Sequence, residues 1–306
     1  MLRLMAIVRE YRVLLLVGFM LVAVEGGVRL VEGHLSGNVN HILEIPAIVR
    51  QVEQARNDEN TLVLLGNSLL NNATDEAVLR ALLPMVASSA LAKITPDGSA
   101  LAEWFCVYNN HLAAAHVPDV LVIGFAWAQL SDQFPINASR LGGFFCGIDD
   151  SDRMGATGLT DHRNYLRFLA GKVSHVYVNR ELIRNRLLST VIPDYEIITQ
   201  RLNSEERQRG GPGRTVYTYS LLTDLLASMH DAGTRVVLIA MPVQTPYQID
   251  EGLLRETERF GVVLLDYRNL FNADEAVFAD PIHLNSKGSK RFSTVLAGDL
   301  KPFLSQ

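Results

Sequence analysis

The sequence predicts a three-layer α/β/α sandwich with a parallel sheet covered on both faces, and three observations carry this. Apolar runs of strand length, at residues 61–65, 119–125 and 235–240, are separated by longer segments of helical spacing. After its first residue each run is continuously apolar, as in strands buried on both faces. The chain has 306 residues, 48% of them apolar, which suffices for one large domain with an appendage or for two small domains.

The elements follow in order. Residues 61–65 end in Gly66 and read as a first buried strand. Residues 75–83 have helical spacing and stop at Pro84. A second strand is expected within 85–94 and a helix over 99–115. Residues 119–125 form the clearest strand. A helix over 216–231 ends at Gly233, where a left-handed residue would close it. Strands at 235–240 and 262–266 flank a helix at 251–260. A last helix over 286–300 takes Asn285 or Ser286 as its cap. Residues 131–215 break this rhythm, with Gly142, Gly143 and the Gly210 to Gly213 stretch around helical segments near 163–190. They read as an insertion over the active-site end of the sheet. Residues 33–60 read as a stalk or first helix, so the expected organisation is 1–32, 33–60 and 61–306.

The amino terminus carries Arg3, Arg9 and Arg12 with one acid, Glu10, and then twelve uncharged residues, 13–24. A basic flank before an apolar run is the pattern of an exported or anchored chain. The run is shorter than the ~20 residues a spanning helix prefers, and lengthening it admits Glu25 and Arg29. Ala23, Val24 and Glu25 make a poor cleavage site. The expectation is an uncleaved single-pass anchor in a bacterial cell membrane, with the domain on the extracytoplasmic (periplasmic) side. A cleaved, secreted form is the alternative, and a buried soluble helix the third.

A net charge of −5, with 20% charged residues, argues against a nucleic-acid partner. Arg201 to Arg214 is the nearest thing to a basic cluster, and Glu205 and Glu206 interrupt it. No glycine-rich phosphate loop suggests a nucleotide. Cys106 and Cys146 cannot form a metal knuckle alone; they pair in an oxidising compartment or pack as buried thiols. Asp149, Asp150 and Asp152 lack the spaced ligands of a calcium loop and read as a solvated turn. Asp161, His162, His175 and His230 have no metal-ligand spacing, so neither metal nor cofactor is expected. Trp104, Phe105, Tyr108 and His111 fall at helical spacing and suit core packing or a binding wall. His116 reads as a loop residue.

Two segments carry chemistry. In Gly66-Asn67-Ser68-Leu69 a buried strand runs into a hydroxyl residue at a helix start. A serine there can serve as nucleophile, and its N–H as an oxyanion donor. It can equally be a simple helix cap. In Asp280-Pro281-Ile282-His283-Leu284-Asn285 an acid and a histidine stand three apart before the last helix. A serine needs a base, and the base needs an acid to fix its tautomer. Isolated, this segment is a polar loop with a cap. Placed at the first strand and before the last helix of one α/β domain, the two are segments that sheet geometry can bring to one edge.

Gly66-Asn67-Ser68-Leu69 resembles the first block of the SGNH, or Gly-Asp-Ser-Leu, hydrolases, with Asn67 in place of the usual Asp. Asp280 to Asn285 resembles their last block, and Pro118 to Gly124 the strand before their third. The resemblance covers residues 61–130 and 216–300. It implies a flavodoxin-like sandwich and hydrolysis or transfer of an ester-linked acyl group. Ser68 would be nucleophile, His283 base and then acid, and Asp280 its orienter. The family's third block supplies an oxyanion Asn where this chain has Ala126. Gln129, or a residue of the insertion, is the expected substitute. Gly98 is the candidate for the second-block donor, with a plain turn glycine as the alternative. The expected substrate is an acyl ester, with acetyl on a cell-envelope carbohydrate the leading case. The alternatives are a degenerate binding or assembly protein of an envelope polysaccharide system, and a membrane-surface lipid esterase. The last would expose an apolar patch at residues 141–145.

Overall fold

The computed structural model describes residues 2–55, 60–84, 86, 90–113, 118–192, 216–272 and 274–305, with side chains from residue 11 onward. The elements that position the site are α1 (Leu2–Leu35), α2 (Gly37–Ala55), β1 (Leu62–Leu65), α3 (Ser68–Ala73), α4 (Glu76–Leu82), β2 (Leu91–Ile94), α5 (Leu101–Val107) and β3 (Val120–Phe125). The insertion holds α6 (His162–Val173), α7 (His175–Val178) and α8 (Arg180–Val191). Then come α9 (Ser220–Asp231), β4 (Arg235–Ala240), α10 (Glu251–Arg259), β5 (Val263–Asp266) and α11 (Ser286–Leu304).

The strands form one parallel five-stranded sheet in the order β2-β1-β3-β4-β5. Helices flank it in a three-layer α/β/α arrangement, the flavodoxin-like order whose switch point lies between β1 and β3. Leu65 of β1 pairs with Ile94 on one side and Ile123 on the other. All four residues of β1 and all six of β3 are buried, which is why both runs are continuously apolar. Helix α11 packs on α3 and α4, and α9 packs on α5. Helix α2 lies against β2 through a stripe of buried Val39, Ile42, Ile45, Val49 and Val52.

Several boundaries differ from expectation for local reasons. The helix expected over 216–231 starts at Ser220, because the buried Asp132 carboxylate accepts the N–H groups of Ser220 and Leu221, at 2.8 and 3.0 Å. Gln133 completes this neck, bonding Thr218 through both its amide nitrogen and oxygen. Helix α5 widens after Val107 into a π turn at Tyr108–Leu112. Strand β2 is confined to Leu91–Ile94; residues 85 and 87–89 lie outside the described residues. So do His116 and residues 193–215, including the Arg201 to Arg214 and Gly210 to Gly213 stretches.

The insertion sits firmly on the domain. Cys106 and Cys146 form a disulfide with Cα atoms 5.1 Å apart, tying α5 to the start of the insertion. Gly142 meets the Phe168 carbonyl and Gly171 the Ser139 carbonyl, so closely that a Cβ at either would strike backbone. Leu141 and Phe145 are buried, and Phe144 is packed edge-on to His175. The apolar patch expected of a lipid-surface esterase is therefore not exposed there: these side chains fill the joint between the insertion and α5. Asp150 accepts from Gly147 N and Asn110 Nδ2 and serves as a loop brace.

Helix α1 is long and apolar enough to cross a membrane between Tyr11 and Leu35. The two acids within that span, Glu25 and Glu32, have defined partners. Glu25 pairs with Arg29 at 2.8 Å and accepts from Ser174 Oγ, His175 N and Val176 N at the start of α7. Glu32 is buried and contacts His175 Nδ1 at 2.6 Å and Asn179 Nδ2 at 3.1 Å. The charges that shorten the apolar run thus hold the insertion against the end of α1.

Candidate active site

Ser68 opens α3, three residues beyond the end of β1. Gly66 makes this turn possible: a Cβ there would come within 2.8–2.9 Å of the Leu70 side chain and 3.3 Å of the Gly124 carbonyl. Asn67 is buried and caps α3, its Oδ1 accepting from Leu69 N at 3.0 Å. Its Nδ2 donates to the Ser99 carbonyl at 2.9 Å. A carboxylate at 67 would keep the first bond but turn a lone pair toward Ser99 O in place of the second. Behind the turn, Ser99 Oγ donates to Gly66 O at 2.8 Å, and Trp104 Nε1 to Gly66 O at 3.0 Å. Trp104 packs in the core, as its helical spacing suggests, and is not a binding wall. It is fully buried and bonded to the backbone of the turn that carries Ser68.

His283 reaches the same edge from the loop before α11. Asn285 builds that loop: its Oδ1 caps α11 through Lys287 N and Gly288 N, and its Nδ2 donates to Ala276 O and Phe278 O. Leu284 is buried, and Ala279 N donates to His283 O at 2.8 Å. Gln244 N donates to Pro281 O, tying the loop to the segment after β4. Within it, Asp280 Oδ1 accepts the N–H groups of Ile282 and His283, both at 2.9 Å.

The three side chains form a line. His283 Nε2 lies 3.0 Å from Ser68 Oγ, and His283 Nδ1 lies 2.8 Å from Asp280 Oδ2. Burial works to raise the Asp280 carboxyl, but the His283 bond and the two backbone N–H bonds outweigh it and hold it below its ordinary value. An ionised Asp280 only accepts, so Nδ1 carries the proton and Nε2 is free to accept from Ser68. His283 and Ser68 are partly buried and Asp280 is exposed, so the line opens to solvent at its acid end.

Of the expected oxyanion residues Ser68 belongs to this line, whereas Gly98 and Gln129 have other surroundings. Gly98 sits in a tight turn with φ +65°, a conformation that suits glycine. Gln129 is buried, and its Oε1 accepts from Ala126 N at 2.9 Å, so its carbonyl holds the turn after β3. As the first N–H of a helix, that of Ser68 has no intrahelical acceptor. Sequence reasoning gave no role to Trp127, which follows Ala126 with φ +49° and remains substantially exposed. Nothing in the sequence marks that conformation, since it is imposed by the turn.

Among the described residues no group of three or more His, Cys, Asp or Glu side chains could hold a metal ion. No family model and no curated protein matches the chain. Among solved structures it is similar to LAE5, an alpha/beta hydrolase enzyme from the metagenome of Lake Arreo, Spain, at 15% identity and TM-score 0.38, over 80% of this chain and 95% of that one. It is also similar to a mutant of Axe2, an acetyl-xylooligosaccharide esterase from a Geobacillus, at 13% identity and TM-score 0.39, over 81% and 94%. A third is the YxiM protein of Bacillus subtilis, at 10% identity and TM-score 0.36, over 80% of this chain and 56% of that one. Likeness at this distance transfers no substrate or residue role.

Proposed function

We propose that this protein is a serine-nucleophile esterase or O-acyltransferase of SGNH type, acting on an acylated, preferentially acetylated, cell-envelope carbohydrate. The observation that carries this is the Ser68–His283–Asp280 line, with contacts of 3.0 and 2.8 Å. Ser68 Oγ attacks the ester carbonyl while His283 Nε2 takes its proton, and Asp280 stabilises the imidazolium. The tetrahedral intermediate collapses as His283 returns the proton to the departing alkoxide, leaving acyl-Ser68. Water, or a sugar hydroxyl, then gives its proton to His283 and attacks the acyl group, and Ser68 is regenerated. The Ser68 N–H and Gly98 are the oxyanion donors in this reading, with Gln129 setting the turn beside them.

The apolar α1 and the Cys106–Cys146 disulfide support an anchored, extracytoplasmic enzyme, since disulfides persist in oxidising compartments. The insertion, held by that disulfide, would shield an acyl-enzyme from water in a transferase. A second reading, a degenerate binding or assembly protein, is favoured by Ala126, which has no side-chain donor where the family has its oxyanion Asn and whose own N–H is taken up by Gln129 Oε1.

Burst kinetics of the full chain in detergent, with an aryl acetate, separate the two readings. The enzyme predicts a burst of one phenolate per active site that Ser68→Ala and His283→Ala both abolish. A full chain that matches those variants on short and long acyl chains leaves only the assembly reading.

A further inference from the structure

The carboxyl ends of β3 and β4 carry an aromatic pocket that the acyl chemistry does not use. Its cavity of about 220 Å³ is walled by Trp127, Tyr217, Tyr219 and Tyr247, with Gln248 and Asp250 at its polar side. The Trp127 and Tyr247 ring centroids are 5.6 Å apart, and the planes are tilted by 41°, so the rings meet as a corner. Tyr247 is fixed from behind by its hydroxyl bond to Met241 O and by the Arg268 guanidinium at its ring. Trp127 is the other kind of residue: exposed, and held in a left-handed conformation that a bulky side chain rarely adopts. Such outliers cluster at ligand sites, where the backbone aims a side chain that packing alone would not.

The pocket's position adds to its composition. Ser68 follows β1 and Trp127 follows β3, the two strands that flank the switch-point crevice where ligands bind in this topology. The segment after β4 that supplies Tyr247 and Gln248 is also the one bonded to Pro281, beside His283. The larger groove of about 700 Å³, between α2 and β2, is a weaker candidate. There Lys93 donates to the Asn71 and Thr74 carbonyls, and His41 Nε2 accepts from Thr95 N, so its polar groups already brace the backbone.

We propose that this aromatic corner is a pyranose subsite that seats the sugar ring of the ester substrate beside Ser68. The inference rests on the carbohydrate-ester reading and deepens it. A pyranose has an apolar face of axial C–H groups that stacks on an aromatic ring, and an equatorial rim of hydroxyls that needs amide and carboxylate partners. Trp127, which is exposed, supplies the first, and the buried Tyr247 ring sets its angle from behind. The exposed Gln248 and the half-buried Asp250 supply the second, Asp250 also bonding Gly252 N and Tyr219, which fixes its carboxylate at the pocket wall.

The chain has two tryptophans, and Trp104 is fully buried, so ligand-induced fluorescence change reports on Trp127. The test titrates full-chain Ser68→Ala protein in detergent with xylotriose, cellotriose and triacetylchitotriose. The expected result is saturable quenching or a blue shift with at least one of them. Gln248→Ala should weaken binding by about tenfold, equivalent to 1.4 kcal/mol. Trp127→Gly, whose backbone adopts the left-handed conformation without strain, should stay folded and lose the calorimetric signal for the same sugar. No response to any of the three, or binding unchanged in Trp127→Gly, overturns the subsite. So does binding of choline without sugar, which would make the corner a cation cage. Because Ser68→Ala removes the nucleophile, sugar binding without a burst in the parent would sink the esterase reading alone. A burst without sugar binding would sink only the subsite.

Discussion

Asn67 and Asp280 each do more than their residue type would suggest. The Asn67 amide uses both ends, one as helix cap and one as donor to Ser99 O. Asn67→Ala should cost about 1–3 kcal/mol, a lost cap plus an unsatisfied buried carbonyl, seen as a lower denaturant midpoint. Asn67→Asp keeps the cap and loses the donor, so it should fall between parent and Ala. Asp280 has a depressed carboxyl, so its contribution to stability is present above the ordinary carboxylate range and is lost as pH falls through the depressed folded value. Melting temperature against pH should therefore flatten in that acidic window in Asp280→Asn. The same substitution should lower deacylation by roughly 10²–10⁴, because an amide no longer fixes the imidazole tautomer. Retention of full activity would remove Asp280 from the proposed mechanism.

Elements meet the site through their ends. Helix α3 is only six residues long, so propensity contributes little and the Gly66–Asn67–Ser99–Trp104 network holds its first turn. Trp104→Phe keeps the apolar volume and deletes one donor to Gly66 O. The expected loss is about 1–2 kcal/mol, with slower acylation as the Ser68 turn loosens, measured as burst rate against burst amplitude. Unchanged burst rate with lowered stability would make Trp104 a folding residue alone. Helix α9 offers the parallel case, its start set by Asp132 from the far side of the insertion and not by its own periodicity.

On the scale of the whole molecule, the insertion is fastened among other ties by the Asp132–Gln133 neck, by the disulfide, and by the contacts that Glu25 and Glu32 of α1 make to α7 and the turn after it. Reducing a disulfide that closes a 40-residue separation should cost about 2–4 kcal/mol, read from the denaturant midpoint with and without reductant. Glu25→Ala removes three bonds at the start of α7 and should speed amide exchange in residues 174–179, while membrane fractionation of the chain is unchanged. Exchange equal to that of the parent would mean the insertion holds its place without α1.

The sheet was legible because a strand buried on both faces must be continuously apolar, and 62–65, 120–125 and 236–240 are. The serine and the acid–histidine pair were legible as candidates because Ser68 follows an apolar run at a helix start, and an acid and a histidine three apart precede the last helix. Trp127's conformation, the use of Gln129's carbonyl and the bonding of Trp104 were not, because each depends on partners distant in the chain or on a turn whose geometry neighbouring strands impose. Glu25 reads in sequence as an interruption of an apolar run; in three dimensions it accepts from the start of α7, 150 residues away, and Glu32 meets His175 and Asn179 beside it. Local pattern determined which segments become strands and helices and which residue types carry chemistry. Tertiary structure alone decided which atoms meet, because hydrogen-bond partners at 3 Å are set by how elements pack and not by the periodicity within any one of them.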